Sequence, residues 1–222
     1  MSAIRRVVHV SVGRGGPLVV MLHGLSGDAE ALAPFAKSLG LSGDFVFPEG
    51  PVELEPYGLP GRAWWPSDGK DRERAIATGV PRDLSGQHPP GLDEARTALT
   101  ALLDEWRARL PGRPLVLGGF SQGAMLSLDW ALRSPDALAG LVLLSGCSVA
   151  ADESLPYAKR RSGQRFYQAH GNSDPDLSCA AALALHEALQ GAGWLGQWLA
   201  FDGGHEVPLP AWRGLKRFLE AL

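Results

Sequence analysis

Cysteine is scarce. Only Cys147 and Cys179 occur in 222 residues, and their spacing fits neither a metal site nor a disulfide framework. Both lie in or beside apolar segments, where free cysteines act as small core residues in a reducing compartment. The expectation is therefore two free thiols and a cytoplasmic protein. No apolar run is long enough to span a bilayer, so stable membrane insertion is not expected. The opening MSAIRRVVHVSVGRGG has no continuous apolar segment of the kind a secretory leader carries. Charge of one sign is lacking as well. A formal net charge of −3 offers no electrostatic ground for nucleic acid as a partner. The one basic cluster, Lys159-Arg160-Arg161, reads as a solvated loop.

What is present is an ordinary globular composition, 45% hydrophobic and 20% charged. The length suits one domain over 1–222 with a large core, and is compatible with a monomer or a homodimer. Short apolar runs alternate with longer amphipathic ones. Strands are expected over 5–12, 17–24, 44–50, 114–121, 138–146, 165–171 and 194–204. Helices are expected over 28–40, 91–110, 122–134, 178–193 and 211–222. In 91–110, Leu92, Ala95, Leu99, Leu102, Leu103, Trp106 and Leu110 recur on one face. Such alternation implies an α/β fold with a mostly parallel central sheet and helices on both faces. The first two strands, joined by GRGG, read as an antiparallel edge hairpin. Residues 51–90 carry seven prolines and the pair Trp64-Trp65 and fit neither period. A loop of that length in a compact fold is usually functional.

The stretch GGFSQGA, 118–124, stands where a strand must turn into a helix. A serine that merely capped the helix would not need glycines two positions before and after it. Gly119-Phe120-Ser121-Gln122-Gly123 matches the G-x-S-x-G elbow, in which a strained turn lifts the hydroxyl out of the sheet. A hydroxyl needs a base. Of six histidines, His9 and His186 lie within a strand and a helix and read as structural or exposed. His88 lies in the long loop with no orienting partner in view. His23 and His170 precede glycines at strand ends, where a ring can bond local backbone. His205 follows FDGG on the loop after the last strand, at the sheet edge where ligand sites form, and is the candidate general base. The acid that orients it should lie between Ser121 and His205 in chain order. HGNSDPDLS supplies Asp174, which precedes a proline and starts a turn, and Asp176, which reads as a charge at a helix N-terminus. Asp174 is the choice. Charge on a carbonyl oxygen requires preorganised donors. The N–H of Gln122 and that of Leu25, in LHGLSGD, are the candidates.

Taken together, LHGLSGD, GFSQGAM, HGNSDP and GGHEVP resemble the phospholipase/carboxylesterase branch of the α/β-hydrolases, which includes the acyl-protein thioesterases. The resemblance runs from about residue 17 to the C-terminus. It implies Ser121, Asp174 and His205 as a triad, Leu25 and Gln122 as oxyanion donors, and hydrolysis of small-molecule esters or thioesters with no metal or organic cofactor. GRAWWPSD, 61–68, is similar to the family's tryptophan segment, which implies that Trp64 or Trp65 lines the acyl pocket. Ser26, Ala124 and Glu206 stand where the family commonly carries glycine. Only a loop is expected between Ser145 and Arg165, leaving no large cap domain and an open mouth. Two rivals share these residues: a noncatalytic binding module on the same scaffold, and a peptidase or acyltransferase with the same acyl-enzyme step.

Overall fold

A computed structural model describes residues 4–222 apart from Ala31 and Asp68, and only the backbone of Phe35. The first three residues, Ala31 of the expected 28–40 helix and Asp68 of GRAWWPSD lie outside the described residues.

Seven strands form one sheet: β1 (Val7–Val12), β2 (Leu18–Leu22), β3 (Gly43–Pro48), β6 (Leu115–Phe120), β7 (Gly140–Leu144), β8 (Arg165–Gly171) and β9 (Leu195–Phe201). Two short strands, β4 (Val52–Glu53) and β5 (Arg62–Ala63), pair apart from it. The sheet order is β1-β3-β2-β6-β7-β8-β9. Every neighbouring pair is parallel except β1 with β3. Alternate residues of each central strand serve opposite layers, as the pleat requires. Leu18, Val20 and Leu22 of β2 join the layer beneath helices α3 (Leu92–Arg109), α4 (Gln122–Arg133) and α6 (Cys179–Gly191). Val19 and Met21 face α1 (Ala33–Ser38) and α7 (Leu209–Glu220). The α/β architecture, with helices on both faces and no large cap, is as expected.

Several expectations need correction. The first two strands do not form a hairpin: β1 runs antiparallel to β3, from Val7 opposite Pro48 to Val12 opposite Gly43. All five residues of β2 are buried, so β2 needs neighbours on both edges and takes β3 and β6. The half-exposed alternation of β1 suits a sheet edge instead. Helix α1 is shorter than expected, because Pro34 cannot donate a helical bond and belongs in a first turn. The loop expected over 51–90 contains α2 (Lys70–Thr78), bounded by Gly69 and Gly79 in left-handed conformation. Ala75 is its only buried residue, so no apolar stripe announces it. Between β7 and β8 the chain forms α5 (Ala151–Ser154) and a 3₁₀ segment, Leu155–Arg161, rather than plain loop. The basic cluster accordingly lies in a 3₁₀ segment rather than a loop, with Lys159 and Arg160 exposed as expected but Arg161 not. Arg161 is half-buried and donates to the carbonyls of Ser134, at 2.7 Å, and Asp136. Leu222, the last residue of the helix expected over 211–222, is exposed and lies beyond the end of α7 at Glu220. Among the described residues no helix is long and apolar enough to cross a membrane.

Candidate active site

Parallel strands deliver their C-terminal ends to one edge of the sheet, and β2, β6, β8 and β9 each end there in a loop carrying one of the expected groups. Ser121 sits between β6 and α4 at φ 54°, ψ −118°, a backbone conformation that costs about 1–3 kcal/mol for a residue with a side chain. The surroundings enforce it. A Cβ on Gly119 would lie 2.5 Å from the Gly123 carbonyl carbon, and one on Gly123 would lie 2.6 Å from the His23 oxygen. The glycines of the elbow are therefore required by close approach of three backbones, while the Ser121 N–H is held by the Leu144 carbonyl at 2.9 Å.

His205 follows β9. Its Nε2 is 2.8 Å from Ser121 Oγ and its Nδ1 is 2.8 Å from Asp174 Oδ2. The ring packs against Phe120, centroids 4.9 Å apart. Its loop is pinned from β7, where the Ser145 hydroxyl donates to the Glu206 carbonyl at 2.8 Å. Asp174 follows β8 and is buried. Its Oδ1 accepts the N–H groups of Asp176, at 2.8 Å, and Leu177, at 3.0 Å. Its Oδ2 faces His205 and, at 3.1 Å, Nε2 of the fully buried His170. Burial pushes the Asp174 carboxyl up, but the two rings and the Leu177 N–H outweigh it and hold the group well below the ordinary carboxylate range. An ionised Asp174 can only accept. His205 must then carry its proton on Nδ1, which leaves Nε2 as acceptor for the Ser121 O–H.

The other histidines are engaged elsewhere. His9 pairs with Asp44 at 3.0 Å, and His88, whose partner was not visible in the sequence, bonds Glu153 at 2.8 Å. His186 lies 3.3 Å from Gln168. His23 accepts the Gly50 N–H on Nε2 and donates from Nδ1 to the Gly24 carbonyl. Burial pulls its pKa down, so it stays neutral.

A cleft of about 310 Å³ opens above Ser121 and His205, with Leu25, Trp65, Gln122 and Met125 in its wall. Gln122 is the first residue of α4, so its N–H has no partner within the helix. Leu25 lies inside the turn closed by Gly27 N–H and the Gly24 carbonyl, and the next residue, Ser26, takes the left-handed φ of 63° for which a glycine is commoner. The two tryptophans separate. Trp65 borders the cleft, whereas Trp64, 1% exposed, is packed below it and donates its indole N–H to the His23 carbonyl.

Three features escaped the sequence. The side chain of Gln122 accepts the Trp64 N–H at 2.8 Å and donates to the Trp65 carbonyl at 3.2 Å, tying the cleft wall to α4. Asp176 is not a helix-terminal charge, since α6 begins at Cys179 behind a Ser178 cap. It is buried between Arg72 and Arg82 in the cleft wall. His170 reaches Asp174 from behind. Only the HGNSDPDLS turn hinted at any of these, by offering two acids where one was needed.

Comparison with known proteins places these features in context. The family described as Phospholipase/Carboxylesterase matches residues 6–222. Acyl-protein thioesterase 1 of Aspergillus fumigatus is 29% identical over 165 residues, 70% of this chain and 66% of that protein. Its Neurospora crassa counterpart is 27% identical over 114 residues, 50% of this chain and 46% of that protein. The matches thus span roughly half to two thirds of those relatives. The crystal structure of esterase PE8 superposes with a TM-score of 0.78 at 26% identity, covering 97% of both chains. Zea mays acyl-protein thioesterase 2 shares the fold, with a TM-score of 0.73 at 23% identity over 97% of this chain and 98% of that one.

Proposed function

The chain belongs to the phospholipase/carboxylesterase family, and from that premise we propose that it is a serine hydrolase cleaving carboxylic esters or thioesters of small to medium acyl chains through an acyl-enzyme. The observation that carries the reading is the continuous hydrogen-bonded line from Ser121 Oγ through His205 to Asp174, each link 2.8 Å. Ser121 Oγ attacks the substrate carbonyl as its proton passes to His205 Nε2. Asp174 holds the ring and stabilises the imidazolium. The N–H groups of Leu25 and Gln122 receive the oxyanion. His205 then gives the proton to the leaving alcohol or thiol as its bond to carbon breaks. Water repeats the sequence, losing a proton to His205 and releasing the acid from Ser121.

The size class is supported by the cleft of about 310 Å³, at the small end for ligand sites, with Trp65 as its aromatic wall. The unpaired Cys147 and Cys179 support a reducing compartment. The test is hydrolysis of p-nitrophenyl butyrate. Ser121→Ala should lose at least about a thousandfold in kcat while keeping its circular dichroism spectrum. Retained turnover would exclude the mechanism. Butyryl ester, thioester and anilide substrates compared side by side separate an esterase or thioesterase from a peptidase.

A further inference from the structure

The cleft has a charged wall that the chemistry above does not use. Asp176, with 3% of its side chain exposed, is saturated by arginines: Arg82 reaches Oδ1 through Nε at 2.9 Å and through a terminal nitrogen, and Arg72 reaches Oδ2 through Nε at 3.1 Å. All three residues line the cleft. The two guanidinium groups face one carboxylate, and among the described residues of the wall the only other ionisable side chain is His205.

The arginines are not equivalent. Arg82 is a tie: its own N–H donates to the Asp176 carbonyl at 2.8 Å, its carbonyl accepts the Ser178 N–H, and its side chain is 22% exposed. It alone would satisfy the structural need of Asp176 for a counter-ion. Arg72 comes from α2 and is 46% exposed. It is held by Nε only, and its two terminal nitrogens bond no described residue. A guanidinium fixed by one edge with the other donors open to a cleft is prepared for a bidentate anion. Its position points to one half of the substrate. Asp176 Oδ2, the oxygen that holds Arg72, lies 3.9 Å from His205 Nε2, the nitrogen that hands the proton to the leaving group.

We propose that Arg72 is a specificity-determining residue that receives an anionic group, a carboxylate or a phosphate, on the alcohol or thiol half of the substrate. The proposal rests on the hydrolase reading for the word substrate, but its binding test does not. Arg72→Gln leaves Asp176 paired with Arg82, so the fold is not at stake.

Two measurements decide it. The first is the ratio of kcat/KM for 4-carboxyphenyl butyrate over 4-carbamoylphenyl butyrate, with 4-phosphonooxyphenyl butyrate as the phosphate arm. The chain should favour one anionic ester over the neutral one by about tenfold or more. In Arg72→Gln that ratio should fall to near one, with Arg72→Lys between. The second is calorimetric titration with the released phenols, 4-hydroxybenzoate, 4-hydroxyphenyl phosphate and 4-hydroxybenzamide. One of the two anions should bind about tenfold tighter than the amide, and the advantage should vanish in Arg72→Gln. Equal treatment of charged and neutral compounds, or a ratio that Arg72→Gln leaves intact, overturns the proposal. Selective, Arg72-dependent binding without turnover of any ester would support it while refuting the hydrolase reading.

Discussion

Replacing Asp174 by asparagine changes one atom and tests the direction of every proton in the site. The carboxylate has two distinct sides. Oδ1 accepts two backbone N–H groups, from Asp176 and Leu177, and Oδ2 faces two imidazole nitrogens, from His205 and His170. An asparagine has one acceptor and one donor end. Turning its NH2 group toward the backbone would set it against two buried N–H donors, at about 1–3 kcal/mol each. The amide should therefore keep its oxygen on the backbone side and present NH2 to His205. The ring must then accept at Nδ1, which moves its proton to Nε2, and the Ser121 O–H loses its acceptor. A triad held in the wrong tautomer loses about 10⁴ in kcat, close to 5 kcal/mol of barrier. The assay is kcat on p-nitrophenyl butyrate at pH 7, with circular dichroism and a thermal melt as fold controls. Stability supplies a second reading. Because Asp174 is held below the usual carboxylate range in the folded chain, its charge contributes stability that is full above about pH 4 and fades as pH falls through the folded value. Asp174→Asn should be less stable than the parent at pH 7 and flatter in stability across the acid range. A folded variant with kcat within tenfold of the parent would refute the assignment of the proton to His205 Nδ1.

Two further outcomes follow from neighbouring contacts. Gln122→Ala removes the acceptor of the buried Trp64 N–H but keeps its own backbone N–H, so it should cost about 1–3 kcal/mol in chemical denaturation and raise KM more than it lowers kcat. Burial pushes the Cys147 thiol up to about 12, whereas Cys179 is partly exposed. At pH 8 a disulfide reagent should label Cys179 alone, and Cys147 should react only after urea unfolds the chain. Prompt labelling of both thiols in the native state would contradict the packing around Cys147.

The sequence was most legible where function depends on local geometry. The glycines around Ser121, the proline after Asp174 and the glycines before His205 mark strand ends, and strand ends in a parallel sheet converge. Long-range pairing was less legible. Nothing in GRGG indicates that β1 bypasses β2 for β3; only the complete burial of β2 decides it. The α2 helix was hidden because it buries Ala75 alone, so the periodicity that revealed Leu92–Arg109 has no counterpart there. Arg72 and Asp176 are separated by 104 residues, and no local pattern connects them. The tryptophan pair illustrates the limit within a single motif: both rings are buried in the same core cluster, yet only Trp65 also borders the cleft, and nothing in the local sequence distinguishes the two.

The most direct test of the account is covalent. The protein is incubated with an alkyl fluorophosphonate, digested and sequenced by mass spectrometry, in parent, Ser121→Ala and His205→Ala forms. The expected result is one adduct on Ser121, absent from Ser121→Ala and formed at least about a hundredfold more slowly in His205→Ala. An adduct on another residue, no adduct at all, or labelling of Ser121 at an undiminished rate without His205 would contradict a hydroxyl activated by that ring.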